Sequence, residues 1–338
     1  MPELPLLCIM GPTAAGKTDF AIAAAGALNG ELISVDSALV YRGLNIGAAK
    51  PTEPHHLMDL RDPSDVYSVA DFVTDARATI AAVRNRGRLP ILVGGTMLYF
   101  RALLQGLDDI PATDTETRAA IDKEAAEQGW PALHQQLALV DPELAAKLHP
   151  NHSQRISRGL EVWRMTGRPL SEWQRGIATD RLTVPALCLG LCTSSRSVLH
   201  QRIERRFDQM LADGFLDEVQ GLYNRGDLHP DLPAIRAVGY QQLWSVAAGI
   251  DPLESARSKA IAATRQLAKR QLTWLRRWPQ LNWLIRGDDE QSWILQGELA
   301  LANSETPVDL DKKLGGVETT TVTMMKIIEQ ALKELHKH

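Results

Sequence analysis

Eight residues near the start of the chain have the types and spacing of a phosphate-binding loop. They match the pattern G-x-x-x-x-G-K-T and are Gly11, Pro12, Thr13, Ala14, Ala15, Gly16, Lys17 and Thr18. The two glycines allow backbone angles that point successive N–H groups into one concavity. Lys17 adds a full positive charge, and the Thr18 hydroxyl can reach a metal ion or a phosphate oxygen. The loop is therefore predicted to bind a diphosphate or a polyphosphate.

The segments on either side of this loop have the patterns that such a loop requires. Residues 6–10 are apolar and predict a short buried strand, and the alanine-rich residues 19–28 predict a helix. In the order strand, loop and helix, the N-terminus of the helix adds partial positive charge at the phosphate site. The combined pattern favours a phosphate site over a chance glycine turn.

A carboxylate follows the next predicted strand. Residues 31–35 predict this strand, and Asp36 and Ser37 stand at its end. A carboxylate here would face the phosphate site, where it could accept a proton from an attacking nucleophile or help to hold a metal ion. The alternative is that Asp36 is the N-cap of a helix that follows.

A third strand is predicted over residues 88–96, and it ends at Thr96 in a glycine turn without an acidic residue. Hydrolases with a phosphate-binding loop usually need an acidic residue near the site to hold Mg²⁺. The pattern therefore favours a small group-transfer enzyme over a motor or a switch.

Buried strands alternate with helices along the first part of the chain. One helix is predicted from an N-cap at Ser68 to about residue 85, and residues 43–67 read as a long functional or mobile loop. Alternation of this kind is typical of α/β proteins, here a P-loop NTPase-like parallel sheet flanked by helices, with a helical insertion domain. Because ligands bind at the carboxyl ends of such strands, the loop, Asp36 and Thr96 should converge on one site.

The domain organisation is predicted from the points in the sequence where this alternation of strands and helices changes. Residues 1–113 form the first part of the core, 114–182 the helical insertion, 183–286 the rest of the core with basic helices, and 287–338 a peripheral C-terminal tail. Apolar patterns at 184–192 and 282–285 predict further strands, and an amphipathic pattern near 324–335 predicts a last helix.

Bulk properties narrow the function classes. The 338 residues are 44% hydrophobic and 23% charged, with a net charge of −4, so nucleic-acid binding would depend on local basic patches. The three cysteines, Cys8, Cys188 and Cys192, lack zinc-finger spacing and are expected to be reduced structural thiols. No apolar run approaches the roughly 20 residues that cross a bilayer. We expect a cytoplasmic protein that makes no use of a membrane.

Basic residues form three clusters late in the chain. The first is Arg155 with Arg158, the second is Arg196, Arg202, Arg205 and Arg206, and the third is Arg265, Lys269, Arg270, Arg276 and Arg277. They are candidate phosphate-backbone contacts, although any one cluster alone would be interpreted as a solvated helix face. Trp274 and Trp278, which interleave with the third cluster, are predicted to belong to the core rather than to stack on bases.

Together these stretches resemble one family, the tRNA dimethylallyltransferases or isopentenyl transferases, in their bacterial form. The resemblance covers roughly residues 4 to 285. The matching stretches are residues 11–18, 33–42, 46–47, 49–51, 92–100, 149–151, 154–155, 158–162, 235–240 and 264–271. Asn45 and Ala48 stand where many members have an acid and a threonine, and Gln241 stands where an arginine is common.

The resemblance implies transfer of a dimethylallyl group from dimethylallyl diphosphate to the exocyclic amine of the adenosine just 3′ of the tRNA anticodon. Asp36 would be the general base, and the loop would hold the diphosphate leaving group. Mg²⁺ is the implied cofactor, with Thr18 as its ligand, and a late arginine, Arg202, would neutralise charge on the diphosphate. The implied catalytic residues are Asp36, Thr96, Lys17 and Arg202.

The resemblance also implies a surface for the anticodon stem-loop. The implied tRNA-binding residues are Asp36, Ser37, Ala38, Leu39, Thr96, Arg118, Gln154, Arg155, Ile156, Ser157, Arg158, Arg236, Ala237, Val238, Gly239, Tyr240 and Gln241. The helical insertion would grip the stem-loop mostly by phosphate contacts and shape, and the target base would flip into a channel. We expect a monomer.

Two other function classes remain alternatives. A P-loop small-molecule kinase would bind ATP or GTP, but it leaves the tRNA-like stretches unexplained. A non-catalytic RNA-binding protein with a relic loop would be favoured if Lys17 or Asp36 were replaced, and both are present.

Overall fold

The computed structural model describes residues 4–106, 110–111, 114–175, 182, 184–287, 292–295 and 317–336. Internal contacts divide the chain into two compact units. The core unit contains residues 1–100 and 183–338, and the helical unit contains residues 101–182. Within the described residues, no helix combines the length and the apolar character needed to cross a membrane.

The core unit is built on a seven-stranded sheet in the order β2-β3-β1-β4-β5-β6-β7. The strands are β1 (Leu6–Met10), β2 (Gly30–Val35), β3 (Leu89–Gly94), β4 (Ala186–Thr193), β5 (Leu281–Arg286), β6 (Ser292–Leu295) and β7 (Val317–Thr320). The first five strands of this order pair in parallel, and β6 and β7 continue the sheet in antiparallel fashion. The predicted parallel α/β sheet is confirmed.

The central position of β1 explains its composition. Every residue of this strand is buried, and it pairs with β3 on one side and β4 on the other. A parallel strand covered on both faces needs an uninterrupted apolar run instead of an alternating one. The carboxyl ends of β1, β2 and β3 lie side by side and carry the phosphate-binding loop, Asp36 and Thr96.

Thirteen helices surround the sheet or form the helical unit within the described ranges. They are α1 (Lys17–Ala27), α2 (Val69–Asn85), α3 (Met97–Gln105), α4 (Thr115–Gln128), α5 (Trp130–Val140), α6 (Pro142–Ala145), α7 (Ser153–Thr166), α8 (Leu170–Trp173), α9 (Arg196–Ala212), α10 (Phe215–Tyr223), α11 (Tyr240–Ala247), α12 (Leu253–Leu275) and α13 (Thr321–Leu335). Helix α2 begins after Ser68 as predicted, because Ser68 and Asp71 cap each other's backbone N–H groups at 3.1 and 2.8 Å.

The prediction of a peripheral C-terminal tail is wrong for the described part of residues 287–338. Met324, Ile328 and Leu332 of α13 are buried in the hydrophobic cluster that covers the sheet beside α1. Trp293 of β6 joins the same cluster, with its ring 4.8 Å from that of Phe20 in an edge-on arrangement. The amphipathic face of α13 therefore completes the core.

The helical unit has a hydrophobic core of its own. Leu133 and Leu137 of α5 pack with Ile156 and Leu160 of α7 and with Ile121 of α4. The predicted insertion began at residue 114, whereas the compact unit begins at residue 101.

Candidate active site

The phosphate-binding loop joins β1 to α1 at the edge of a cleft in the core unit. Thr13, Ala14, Lys17 and Thr18 line the cleft. Gly16 has a φ of 87°, a left-handed conformation that glycine adopts without strain, and it leads directly into the helix. The N-terminus of α1 therefore faces the cleft with the N–H groups that an anion needs.

Lys17 is held over this loop. Its Nζ donates to the carbonyl oxygen of Pro12 at 2.8 Å. Burial and the nearby charge of Arg206 lower the pKa of Lys17 to about 8, while the charge of Asp36 opposes the shift. Lys17 is thus mostly protonated at pH 7, and a bound anion would favour its charged form further.

Asp36 follows β2 and lines the cleft. Its Oδ1 accepts hydrogen bonds from the N–H groups of Ala38 at 2.8 Å and Leu39 at 3.4 Å. The hydrogen bonds of the described residues leave Oδ2 unused. The N-cap alternative is wrong, because turns and not a helix follow Asp36. Oδ1 closes one of these turns, while Oδ2 remains available to accept a proton.

Thr96 stands at the end of β3, next to the turn that Asp36 closes. Its Oγ1 accepts a hydrogen bond from the N–H of Ser37 at 3.1 Å, and both residues line the cleft. The accepting role leaves the hydroxyl hydrogen of Thr96 free to donate to a ligand. The predicted convergence of the loop, Asp36 and Thr96 on one cleft is what the structure shows.

Three arginines line the cleft, Arg206, Arg236 and Arg270, and the first of them lies one turn beyond the predicted Arg202. Arg202 and Arg206 both lie on α9, but Arg206 is among the residues that line the cleft and Arg202 is not. Burial lowers the pKa of Arg206, the charge of Asp36 opposes that shift, and the charge of Arg202 adds to it. Residues four apart share a helix face, so the sequence predicts the arginine cluster on α9 but not which of its arginines lines the cleft.

Gln271 of α12 is a further site residue, which the sequence showed only as the last position of a matching stretch. Its Oε1 accepts from the N–H of Thr13 at 2.9 Å, and its Nε2 donates to the carbonyl oxygen of Gly95 at 2.9 Å. The side chain is 9% exposed. Gln271 therefore ties the phosphate-binding loop to the turn after β3, and only its polarity at a buried position could have signalled this.

Part of the cleft lining is apolar, and we call this part the apolar wall. Leu98, Met210, Leu267 and Trp274 line it, and the cleft volume is about 490 Å³. Trp274 is 37% exposed, so its predicted core position is wrong, whereas Trp278 is 9% exposed and belongs to the core as predicted. Polar phosphate groups and an apolar wall in one cleft suit a ligand with a charged head and a hydrocarbon tail.

The predicted tRNA-contact segments of the core unit also border this cleft. Residues 36–39 and 236–240 line it, together with residues 47–49 of the long loop, and Gln241 is not among the lining residues. Tyr240 is 1% exposed, which leaves its ring embedded rather than presented to a macromolecule.

In the helical unit, the predicted tRNA-contact residues differ in exposure. Gln154 and Arg155 of α7 are exposed, while Ile156 and Ser157 are buried. Arg118 and Arg158 both contact the buried Glu161 carboxylate, at 3.4 and 2.9 Å. Arg155 therefore offers the freely exposed guanidinium of this segment, and the tRNA contacts of the unit stay a prediction.

The cleft contains oxygen donors that fit a magnesium ion. The Thr18 hydroxyl is exposed, Asp36 offers Oδ2, and the Ser34 Oγ is buried without a hydrogen bond among the described residues. Within the described ranges, no three His, Cys, Asp or Glu side chains cluster as metal ligands. Mg²⁺ is commonly held by one or two protein oxygens together with substrate phosphates, and these residues fit that requirement.

The sequence resembles known proteins over most of its length. A sequence model of the IPP transferase family matches residues 39–278. The tRNA dimethylallyltransferase of Albidiferax ferrireducens is 57% identical over 295 residues, which cover 81% of this chain and 84% of that protein.

Solved structures give the same result. The full-length tRNA isopentenylpyrophosphate transferase from Bacillus halodurans is 36% identical and matches with a TM-score of 0.65 over 99% of both chains. A eukaryotic dimethylallyltransferase, studied in crystals while acting on tRNA, is 29% identical and matches with a TM-score of 0.66. That match covers 80% of this chain and 70% of the eukaryotic one.

Proposed function

Since this chain belongs to the tRNA dimethylallyltransferase (IPP transferase) family, we propose that it transfers the dimethylallyl group of dimethylallyl diphosphate to tRNA. The acceptor is the exocyclic amine of the adenosine just 3′ of the anticodon. The observation that supports this reaction best is the single cleft in which a phosphate-binding loop, an available carboxylate oxygen and an apolar wall meet. The kinase alternative is not favoured, because the matching family model and the similar proteins are transferases that act on tRNA.

The donor would bind with its diphosphate on the loop and its hydrocarbon chain toward the apolar wall. The N–H groups at the start of α1, the Lys17 ammonium and the Arg206 guanidinium provide the positive charge. Charge grows on the diphosphate as its bond to carbon breaks, so donors already in place stabilise the transition state more than the ground state.

Asp36 would act as the general base. The attacking nitrogen forms a bond to the allylic carbon, the carbon–oxygen bond breaks, and diphosphate leaves with the bonding electrons. The nitrogen then carries an excess proton, which Oδ2 of Asp36 accepts while Oδ1 keeps the turn closed. The Thr96 hydroxyl, which accepts a hydrogen bond from the Ser37 N–H, would orient the acceptor.

Magnesium is part of the same proposal. Thr18, with Ser34 as a further oxygen donor, would hold an Mg²⁺ ion whose charge offsets that of the diphosphate. Chelation of divalent ions should therefore abolish transfer, and added Mg²⁺ should restore it.

The acceptor would reach the cleft by base flipping, because a stacked adenine cannot place its amine beside a buried diphosphate. Arg155 and Arg118 of the helical unit would contact phosphates of the anticodon stem-loop. We further propose a cytoplasmic monomer, for which light scattering of the purified chain alone and with tRNA is the test of mass and stoichiometry.

The reaction is tested by incubating the protein with Mg²⁺, radiolabelled dimethylallyl diphosphate and unmodified tRNA. A matched acceptor carries guanosine at the position 3′ of the anticodon, and a parallel reaction contains γ-labelled ATP as donor. We expect label in the adenosine acceptor from the prenyl donor alone. Label transferred from ATP to small acceptors, with none from the prenyl donor, would refute the proposal.

A further inference from the structure

One carboxylate outside the cleft accepts hydrogen bonds from several backbone N–H groups of the long loop. Oε2 of Glu218, on α10, accepts hydrogen bonds from the N–H groups of Asn45 at 3.0 Å and Ile46 at 2.8 Å. Its Oε1 accepts from the N–H of Gly47 at 3.2 Å and from the hydroxyl of Tyr240 at 2.5 Å. Both oxygens of Glu218 are therefore engaged with two distant segments of the chain.

Tyr240 extends this network by one residue. Its hydroxyl oxygen accepts a hydrogen bond from the N–H of Ala48 at 3.2 Å while donating to Glu218. Burial and the bond to Glu218 raise the pKa of Tyr240 far above its usual range, so the hydroxyl stays protonated and keeps donating. The ring packs edge-on against Phe215, with centroids 4.9 Å apart.

The loop packs closely against two aromatic rings at Gly47. A side chain at this position would overlap the rings of Phe215 and Tyr240. The bonds from the long loop to Glu218 use only the backbone N–H groups of residues 45–47. The departures at Asn45 and Ala48 from the family pattern therefore do not disturb them.

The segments that this network joins form one side of the cleft. Residues 47–49 and 236–240 line the cleft, and Glu218 does not. We call these two segments the acceptor wall. The five hydrogen bonds made by Glu218 and Tyr240 connect only residues 45–48, Glu218 and Tyr240. The phosphate-binding loop is instead hydrogen-bonded to Gln271.

We propose that Glu218 is a positioning residue that holds the acceptor wall in the shape that receives the target nucleotide of the tRNA. This role rests on the proposed function, and Glu218 performs it through the wall without touching substrate. Three N–H groups converge on one carboxylate, and bonds to a charged acceptor are the stronger class. Loss of the carboxylate should loosen the wall and spare the donor end of the cleft.

Glu218→Gln tests this with little change of shape, because an amide keeps one acceptor oxygen and turns the other into a donor. Asp217→Asn on the same helix is the matched control, since it removes the same charge from an exposed neighbouring side chain. The readouts are hydrogen exchange of the amides at 45–48, kinetics with varied tRNA, and the inhibition constant of inorganic diphosphate.

For Glu218→Gln we expect exchange at 45–47 to be faster by at least about tenfold and kcat/KM for tRNA to fall about 10- to 100-fold. The inhibition constant of diphosphate should change by less than about twofold, because Lys17 and the loop are not part of the network. Asp217→Asn should match the unsubstituted protein in all three measurements. Tyr240→Phe removes two of the five bonds and should give a smaller loss, about 3- to 10-fold.

Unchanged kcat/KM for tRNA in Glu218→Gln would overturn the positioning role, as would an equal loss of diphosphate binding, which would indicate general damage. If Glu218→Gln does not fold, Tyr240→Phe decides by the same criteria. A wild-type protein that transfers no label refutes the proposed function and the role of Glu218 with it. An active wild type with an unaffected variant refutes the role of Glu218 alone.

Discussion

Replacing Asp36 by Asn separates the turn-closing role of this side chain in the structure from its proposed role as general base. Oδ1 accepts the Ala38 N–H at 2.8 Å, and an asparagine oxygen can keep that bond. The second oxygen, which would accept the proton, becomes an NH₂ group without negative charge. The turn after β2 should therefore persist while the base is lost.

The magnitude follows from these roles. Loss of a general base slows a reaction by roughly 10²–10⁴-fold, which corresponds to about 3–5 kcal/mol in the barrier. The free energy of unfolding should change by less than about 1 kcal/mol, because the cap of the turn remains. Asp36→Ala should lose a further ~1 kcal/mol of stability with the bond to Ala38.

The substitution also acts on Lys17. The charge of Asp36 raises the pKa of Lys17, which burial and Arg206 lower to about 8. Without that carboxylate the pKa of Lys17 should fall further, so that donor binding weakens at a lower pH than in the unsubstituted protein. This adds a pH-dependent loss of donor affinity to the loss of rate.

Single-turnover transfer at saturating donor measures the chemical step, and fluorescence anisotropy with labelled anticodon stem-loop measures tRNA affinity. We expect Asp36→Asn to lose rate by the stated factor with tRNA affinity within about threefold. A rate within about tenfold of the unsubstituted protein would refute the general-base role. A large loss of tRNA affinity would make Asp36 a binding residue instead.

Four further outcomes are expected. Because the pKa of Lys17 is lowered to about 8, the affinity for diphosphate should fall as the pH rises from 7 to 9. Calorimetry should also show that the protein takes up protons when diphosphate binds. Lys17→Met should abolish both effects. Arg206→Ala should raise the inhibition constant of diphosphate at least about tenfold, and Arg202→Ala should raise it less, since Arg206 lines the cleft. Gln271→Leu leaves the half-buried Thr13 N–H and the buried Gly95 carbonyl oxygen unpaired and should lower the free energy of unfolding in urea by about 1–3 kcal/mol. Arg155→Ala should weaken tRNA binding at every sequence and reduce its log–log salt slope by about one; an unaltered slope would remove α7 from the interface.

Local patterns predicted much of the core unit. The strand at residues 6–10, the loop to Thr18 and the helix capped by Ser68 all depend on neighbours within a few residues, which a sequence displays directly. The family and the α/β sheet were predicted for the same reason and are confirmed. The convergence of Asp36 and Thr96 could also be predicted, because parallel strands bring their carboxyl ends together.

What the tertiary structure decided depends on residues far apart in the chain. An amphipathic period showed that α13 buries one face, but not that this face covers the sheet beside Phe20. Periodicity could not choose Arg206 over Arg202, since residues four apart on a helix share a side. The roles of Gln271 and Glu218 were hidden for the same physical reason. Each is a single polar side chain whose main-chain partners lie about 170 or more residues away in sequence, and only the closed fold brings them within hydrogen-bonding distance.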